Sequence, residues 1–267
     1  MATTGADQAL INGVCGVTLA QVRRIEAVGF RSWPAATVRY DGTWALRLTA
    51  GHPAKRLNSV NPLDPSDDNN LRVRIERAER AFDTFGRPLI FRLSPLAPPR
   101  LDTLLEDRGW KRFDETIVMR ANLEDVDLDS AMDHVPYQDR GHWIDQCVSM
   151  NAFSASLKPG LSELMEAVHG DLALFLRETD VGSPLAALMA VRFGDLCGLF
   201  EVITNPAERR RGHGRQLIAD ALLWAREHGA RSAWLQVVAD NQPAVGLYKK
   251  IGFRETYRYA YRAAGER

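Results

Sequence analysis

Seven consecutive residues, Arg209, Arg210, Arg211, Gly212, His213, Gly214 and Arg215, put four guanidiniums and two glycines into one short stretch. Glycine lets the backbone curl so that successive N–H groups point inward, and a helix beginning there adds the positive end of its dipole. Arginine contributes bidentate donors that match phosphate oxygens. Anion binding is the chemistry that follows. A short Gly-x-Gly is also what a solvated basic turn at a helix start looks like, so position has to decide between the two. The loop falls between a predicted strand over residues 196–204 and a predicted helix ending near His228 and Gly229, which is where a phosphate cradle belongs. Cys15, Cys147 and Cys197 are far apart, with no CxxC pair or histidine-rich neighbour, which argues against a disulfide framework or a zinc site.

The elements that must position this loop follow from residue spacing. Thr18 before Leu19, Val22, Ile25 and Val28, with Gly29 after them, predicts a short capped helix. Residues 36–40 and 43–48 flank Asp41-Gly42 and predict a hairpin in which both turn residues take positive φ. A strand is expected over 56–60, a loop over 61–70, and a helix from Leu71 to Phe85 that stops at Gly86. A strand over 88–93, a helix over 101–108 and a strand over 110–120 complete the first half. Residues 121–136, rich in acids and closed by Pro136, read as a linker. Helices over 138–150 and 161–168 and strands over 172–178, 184–193 and 196–204 lead to the arginine loop. A strand over 232–238, a helix over 242–251 and a strand over 253–262 finish the chain.

At 267 residues and 45% hydrophobic composition the chain can bury one large core or two small ones. Its 34 basic residues balance 34 acidic ones, so the overall charge points to no nucleic-acid or membrane-surface partner. No apolar run approaches the roughly 20 residues of a membrane span. There is no Lys or Arg before Arg23 to make a signal peptide's basic region, and a cytoplasmic protein is expected.

Residues 104–112 and 247–255 share a pattern: a helix ends in Gly and an aromatic residue, Gly109-Trp110 or Gly252-Phe253, and a long strand follows. The order of elements before each also agrees. Internal duplication accounts for both observations, whereas a common helix-to-strand junction accounts only for the first. The expected division is a first domain over residues 1–120, the linker, and a second domain over 137–267.

Arg209-x-x-Gly212-x-Gly214 resembles the pyrophosphate loop of the GCN5-related N-acetyltransferases. Downstream, Leu235-Gln236-Val237, Asn241, Ala244, Leu247-Tyr248 and Gly252-Phe253 resemble that family's second cofactor motif, in the expected order and separation. The resemblance covers about half of the chain. It implies an α+β fold, here two such folds in tandem, each a mixed twisted sheet with helices on both faces. It also implies acetyl-CoA as acyl donor and a small-molecule or peptide amine as acceptor, with no metal. On this likeness Ile203 and Thr204 would offer their backbone to the pantetheine arm, residues Arg209 to Arg215 would hold the pyrophosphate, and Asn241 would contact the pantetheine region while also capping a helix. Tyr248 would be the general acid that protonates the leaving thiolate, a role suited to a phenol with an ordinary pKa near 10; its alternative is a core aromatic beside Leu247. Glu201 would be the base, against the plainer reading of a solvent-facing strand glutamate. Gln236 stands where some peptide N-terminus acetyltransferases have glutamate.

The first half lacks these parts. Its loop after Val60 carries Asp64, Asp67 and Asp68 and no Gly-x-Gly, and Leu105 stands where the second half has Tyr248. It reads as a copy that has lost cofactor binding, with Trp44, Arg47 and Asn58 as candidates to line an amine pocket or simply as core and hairpin residues. Two other classes remain open at this point. One is a non-catalytic module that senses acyl-CoA; the other is a nucleic-acid patch at the arginine loop, which the neutral charge disfavours. A homodimer is compatible with all of these readings.

Overall fold

Local capping chemistry sets the first helix. The computed structural model describes residues 16–151 and 155–265; Cys15 lies outside them. Gln21 N–H donates to Thr18 Oγ1 at 3.3 Å and Thr18 N–H donates to Gln21 Oε1 at 2.9 Å, a reciprocal capping box from which α1 runs over Leu19–Ser32. Strands β1 (Thr37–Asp41) and β2 (Trp44–Leu48) form the expected hairpin, but its turn is shifted. Asp41 pairs with Trp44, so the central residues are Gly42 and Thr43, and of these only Gly42 has positive φ, 58°. Glycine at the first central position is the type II′ requirement.

The expected strand over 56–60 is also displaced. Lys55–Leu57 is a 3-10 turn, and β3 is Ser59–Pro62. Asn58, between them, is the reason: its Oδ1 accepts from Thr49 N–H at 2.8 Å and its Nδ2 donates to the His52 carbonyl at 2.7 Å. The side chain satisfies main-chain groups that a ladder would otherwise have to pair.

The remaining elements are α2 (Leu71–Thr84), β4 (Ile90–Leu93), α3 (Pro99–Asp107), β5 (Lys111–Asn122), α4 (Arg140–Asn151), α5 (Lys158–Glu166), β6 (Asp171–Glu178), β7 (Pro184–Phe193), β8 (Leu196–Thr204), α6 (His213–Glu227), β9 (Ser232–Val238), α7 (Gln242–Ile251) and β10 (Arg254–Ala263). The fold class is α+β, as the sequence implied.

The chain packs as two units. Of the described residues, the first holds those through Val118, Val238–Asp240 and those from Glu255 on; the second holds those of Met119–Val237 and Asn241–Arg254. In the first unit the strands run in the order β1-β2-β3-β4-β10. β10 lies antiparallel to β4, with Ala260 opposite Leu93, and its Tyr257, Tyr259 and Tyr261 are buried. The last strand thus packs with the first half of the chain rather than within a domain of residues 137–267. Residues 121–136 are packed too. Leu123, Val126 and Leu128 are buried, and the α6 carboxylate of Asp220 binds Met132 N–H and His134 Nδ1, each at 2.8 Å.

The repeated junction is visible in hydrogen bonds. α3 and α7 each end at a glycine of positive φ, Gly109 (76°) and Gly252 (119°). Trp110 N–H then donates to the Leu105 carbonyl and Phe253 N–H to the Tyr248 carbonyl, both at 3.0 Å, the longer closure of a Schellman end. Leu105 and Tyr248 occupy the same place in this motif. Leu105 belongs to the first unit's core with Trp44, Ile75, Phe82, Phe91 and Leu101.

The acidic loop is held by its own bonds. Asp67 accepts from Thr43 Oγ1 at 2.6 Å, from Thr43 N–H at 3.0 Å and from Arg74 Nη1 at 2.9 Å, and Arg74 lies buried 4.1 Å above the Trp44 ring. These bonds, the Thr43 hydroxyl foremost, hold the Asp67 pKa down to about 2. An unfolded aspartate titrates near 3.9, so the stabilisation is fully present above about pH 4 and is lost as pH falls towards 2. Asp67→Asn should therefore lower the urea midpoint near neutral pH, and the gap to wild type should narrow as the pH is taken from about 5 to about 3. A gap that does not change with pH would show that the charge on Asp67 contributes nothing.

Candidate active site

In the second unit the strand order is β9-β8-β7-β6. β8 and β9 are parallel and pair from Leu196 opposite Ser232 to Leu199 opposite Leu235. Both strands then continue, to Thr204 and Val238, outside that register. The other side of β8 slips at the same level. Met189 faces Phe200 but Ala187 faces Ile203, so β8 carries one extra residue, and Glu201 there has φ of 47°. Such a bulge bends its strand and re-aims a side chain. At the root of the fork Phe200 packs edge-on against Trp234 at 5.5 Å. Gly198 is needed there, because a Cβ would come within 2.6 Å of the Phe200 ring and 2.9 Å of Trp234.

The end of β8 leads into the arginine loop. Asn205 caps the 3-10 turn Pro206–Glu208 by accepting from Ala207 N–H at 3.1 Å. The backbone turns left-handed at Arg210 (φ 64°) and Gly212 (φ 85°). Gly212 is the N-cap of α6 and brings no side-chain acceptor, so the first-turn N–H groups and the positive dipole end are left for something else to satisfy. Gly214 abuts β8: a Cβ on it would lie 2.8 Å from Thr204 Oγ1. Arg211 pairs with Glu208 at 2.9 Å, and His213 Nε2 stands 3.9 Å from the same carboxylate. Arg209, Arg210 and Arg215 are exposed. Thr204, Glu208, Arg211, Gly212, His213 and Gly214 are thus brought together where β8 ends.

Asn241 and Tyr248 form a second group on α7. Asn241 caps that helix, accepting from Ala244 N–H at 3.3 Å. Tyr248 is buried and meets Phe253 edge-on at 6.0 Å. Burial pushes its pKa up to about 12, and no hydrogen bond among the described residues takes its hydroxyl. Because β8 and β9 are parallel neighbours, the helices that follow them both start at the same end of the sheet, which puts the arginine loop and Asn241 on one side of the fork.

Several features escaped the sequence reading. His142 Nε2 lies 2.8 Å from Glu178 Oε1, to which Gln146 Nε2 also donates at 3.0 Å, and Tyr137 stacks on the imidazole at 5.7 Å. Nothing in the spacing of residues 137 to 178 signals this cluster. Cys147, buried on α4, has its thiol pushed up by burial and then by the charge of Glu201, so it lies within electrostatic reach of that carboxylate. Burial likewise raises Cys197 to about 12. Trp44 and Asn58 are structural: Trp44 packs edge-on to Phe91 at 5.4 Å and Asn58 is occupied with the connection after β2. Among the described residues no group of His, Cys, Asp and Glu could hold a metal ion, and no helix is long and apolar enough to cross a membrane.

Solved structures of GCN5-related N-acetyltransferases share this fold. A structure of such a protein from Kribbella flavida superposes with a TM-score of 0.69 at 18% identity, covering 92% of this chain and 96% of that one. A tandem protein of this type from the clavulanic acid biosynthesis pathway gives a TM-score of 0.63 at 15% identity, covering 91% and 88%. The family model described as "Probable histone acetyltransferase Rv0428c C-terminal" matches residues 19–262, and the chain belongs to that family within the GCN5-related N-acetyltransferase superfamily. An uncharacterized N-acetyltransferase, YobR of Bacillus subtilis, is 30% identical over 247 residues, 90% of this chain and 98% of its own length. The [Ribosomal protein bS18]-alanine N-acetyltransferase of Escherichia coli K12 is 34% identical over 61 residues, 23% of this chain and 41% of that protein. The chain is an acyltransferase of this type.

The contact of Gly214 with Thr204 can be tested by reversing its sign. Alanine is favoured over glycine inside a helix by about 1 kcal/mol, yet Gly214→Ala should lower the melting temperature, because the new methyl meets Thr204 Oγ1. In a Thr204→Ala background the same change should be neutral or stabilising. Equal destabilisation in both backgrounds would show that the hydroxyl is not the obstacle.

Proposed function

We propose that the chain transfers acetyl from acetyl-CoA to the primary amine of a small molecule or peptide, by direct attack of the amine on the thioester. The observation that carries this reading is the fork between β8 and β9, which runs out at the uncapped, left-handed start of α6. Strand backbone beside Ile203 and Thr204 suits an amide-bearing pantetheine arm. The α6 N–H groups from Gly212 to Arg215 suit a pyrophosphate, with the exposed Arg209, Arg210 and Arg215 adding charge. Arg211 and His213, both near Glu208, stiffen the loop. Asn241, at the start of α7, flanks the arm.

Tyr248 is assigned as general acid. Burial keeps this phenol protonated across the working pH range, so its hydroxyl is available to donate to the sulfur as the C–S bond breaks. Glu201, re-aimed by its bulge, is assigned as the base that takes the ammonium proton. The protons then balance: Glu201 takes one from the ammonium, the freed amine nitrogen bonds to the acetyl carbon and the C–S bond breaks, and Tyr248 gives its proton to the sulfur and regains one from the acylated nitrogen, so that Glu201 holds the one net proton released. Cys147 and Cys197 are buried with raised thiols, unsuited to a covalent acyl-enzyme. Among the relatives, one is named for a ribosomal-protein alanine and another, 44% identical over 53 residues, for streptothricin, so both protein and small-molecule acceptors fit. No nucleic-acid or membrane partner enters this reading.

Two variants test it. Tyr248→Phe should slow single-turnover acetyl transfer by about 100-fold to 10,000-fold while leaving CoA affinity near wild type. Gly212→Val should abolish CoA binding by calorimetry, since valine cannot take the left-handed backbone or allow close approach. Wild type should saturate at one CoA per chain. The assignment is falsified if folded Tyr248→Phe turns over at the wild-type rate, or if Gly212→Val binds CoA undiminished.

A further inference from the structure

The length of the fork fixes where an arm laid in it has to end. From the start of α6 back to the fork's root, β8 runs from Thr204 to Phe200, a distance of about 13 Å at the usual rise of a strand. A pantetheine arm has about twelve bonds between its phosphate oxygen and its sulfur, the backbone length of about four residues and again roughly 13 Å. The sulfur therefore arrives beside Phe200 and Glu201. It can go no further in the plane of the sheet, because β8 and β9 are paired from Leu199 and Leu235 back to Leu196 and Ser232. The acyl group on that sulfur has to turn out onto one face.

Register and packing determine which side chains stand on each face. α4 and α6 both lie over β7 and its two neighbours, so they take opposite faces. Phe175 on β6 packs against Trp224 of α6 at 6.3 Å. Its neighbour Leu174 points the other way, and side chains paired across a sheet share a face. Met189, opposite Leu174, and Phe200, opposite Met189, are thus on the side of α4. Gly198, two residues before Phe200, and Trp234 opposite it belong there as well. Glu201 is on the same side, since Cys147 of α4 feels its charge. An acyl group turned towards the base therefore meets Phe200 and Trp234. Both rings are buried and edge-on at 5.5 Å. The space they share over Gly198 is too tight for a single added Cβ, which would lie 2.6 Å from one ring and 2.9 Å from the other.

We propose that Phe200 and Trp234 set the length of the acyl group this chain carries, admitting acetyl and stopping longer ones; the inference rests on the cofactor reading above. Acetyl ends one carbon past its carbonyl, and butyryl ends three past it. The two further carbons fall where the rings already sit. A packed interior takes up added methylenes only through strained side chains or a shifted backbone.

The full chain should be titrated by calorimetry with CoA, acetyl-CoA and butyryl-CoA, and within each protein the affinities for the two acyl forms taken relative to that for CoA. Wild type should bind butyryl-CoA at least about tenfold more weakly than acetyl-CoA. Phe200→Ala should bring the two within about threefold of one another. Phe200→Leu keeps a buried apolar side chain and so guards against loss of folding; it should shrink the gap by at least about threefold. The proposal is overturned if wild type takes butyryl-CoA as tightly as acetyl-CoA, or if the wild-type gap persists in folded Phe200→Leu. Those two failures leave the cofactor reading standing, since CoA itself still binds. A wild type that binds none of the three overturns both.

Discussion

Two parallel strands that stop pairing partway leave a row of backbone donors and acceptors that must be satisfied some other way. In this protein that constraint falls on β8 and β9, and much of the second unit is arranged around it. β7 holds the far side of β8, so the strand can leave β9 without fraying. The extra residue at Glu201 supplies the bend. Phe200 and Trp234 close the root of the fork, and the tight contact of Thr204 with Gly214 fixes the start of α6 against the strand that has parted. A chain segment with its own amides and a charged terminus is the kind of ligand that satisfies both the strand edges and the helix start.

The two units use the same parts with opposite charge. α2 opens on a left-handed residue, Asn70 with φ of 53°, as α6 opens on Gly212 with φ of 85°. Ahead of α6 stand arginines; ahead of α2 stand Asp64, Asp67 and Asp68. Asp67 spends its carboxylate on Thr43 and Arg74, so the loop that could have met a ligand instead fastens a hairpin to a helix. The Schellman ends of α3 and α7 place Leu105 and Tyr248 alike, one carrying only a hydrocarbon and the other a hydroxyl.

What could be read from the sequence was whatever depends on neighbours along the chain. Glycine with arginine in the 209–215 loop, the N-cap at Thr18, and the helix-Gly-aromatic junctions were all legible because local backbone chemistry makes them. The Asp41-Gly42-Thr43 turn was legible as a hairpin but not in register, since a shift of one residue leaves the composition of the turn almost unchanged. The bulge at Glu201 had no signal: Leu196 to Thr204 reads as an ordinary strand, and only the pairing with β7 shows the extra residue. The same holds for Asn58, whose side chain replaces a ladder, and for the meeting of His142 with Glu178. All three depend on contacts that spacing does not encode. The packing of residues 121–136 was hidden by their acids, because Leu123, Val126 and Leu128 are too few to show a period.

The antiparallel ladder between β4 and β10 joins Leu93 to Ala260, and this has a consequence for biosynthesis. A strand made before the second unit must wait for one made after it, so the first unit cannot complete its sheet until that later strand has been made. Its tyrosine-bearing partner arrives only after the whole of the other unit has been translated. The half of the protein that emerges first from the ribosome is therefore the half that finishes folding only after the other has been made, with the edge of β4 in need of protection in the meantime.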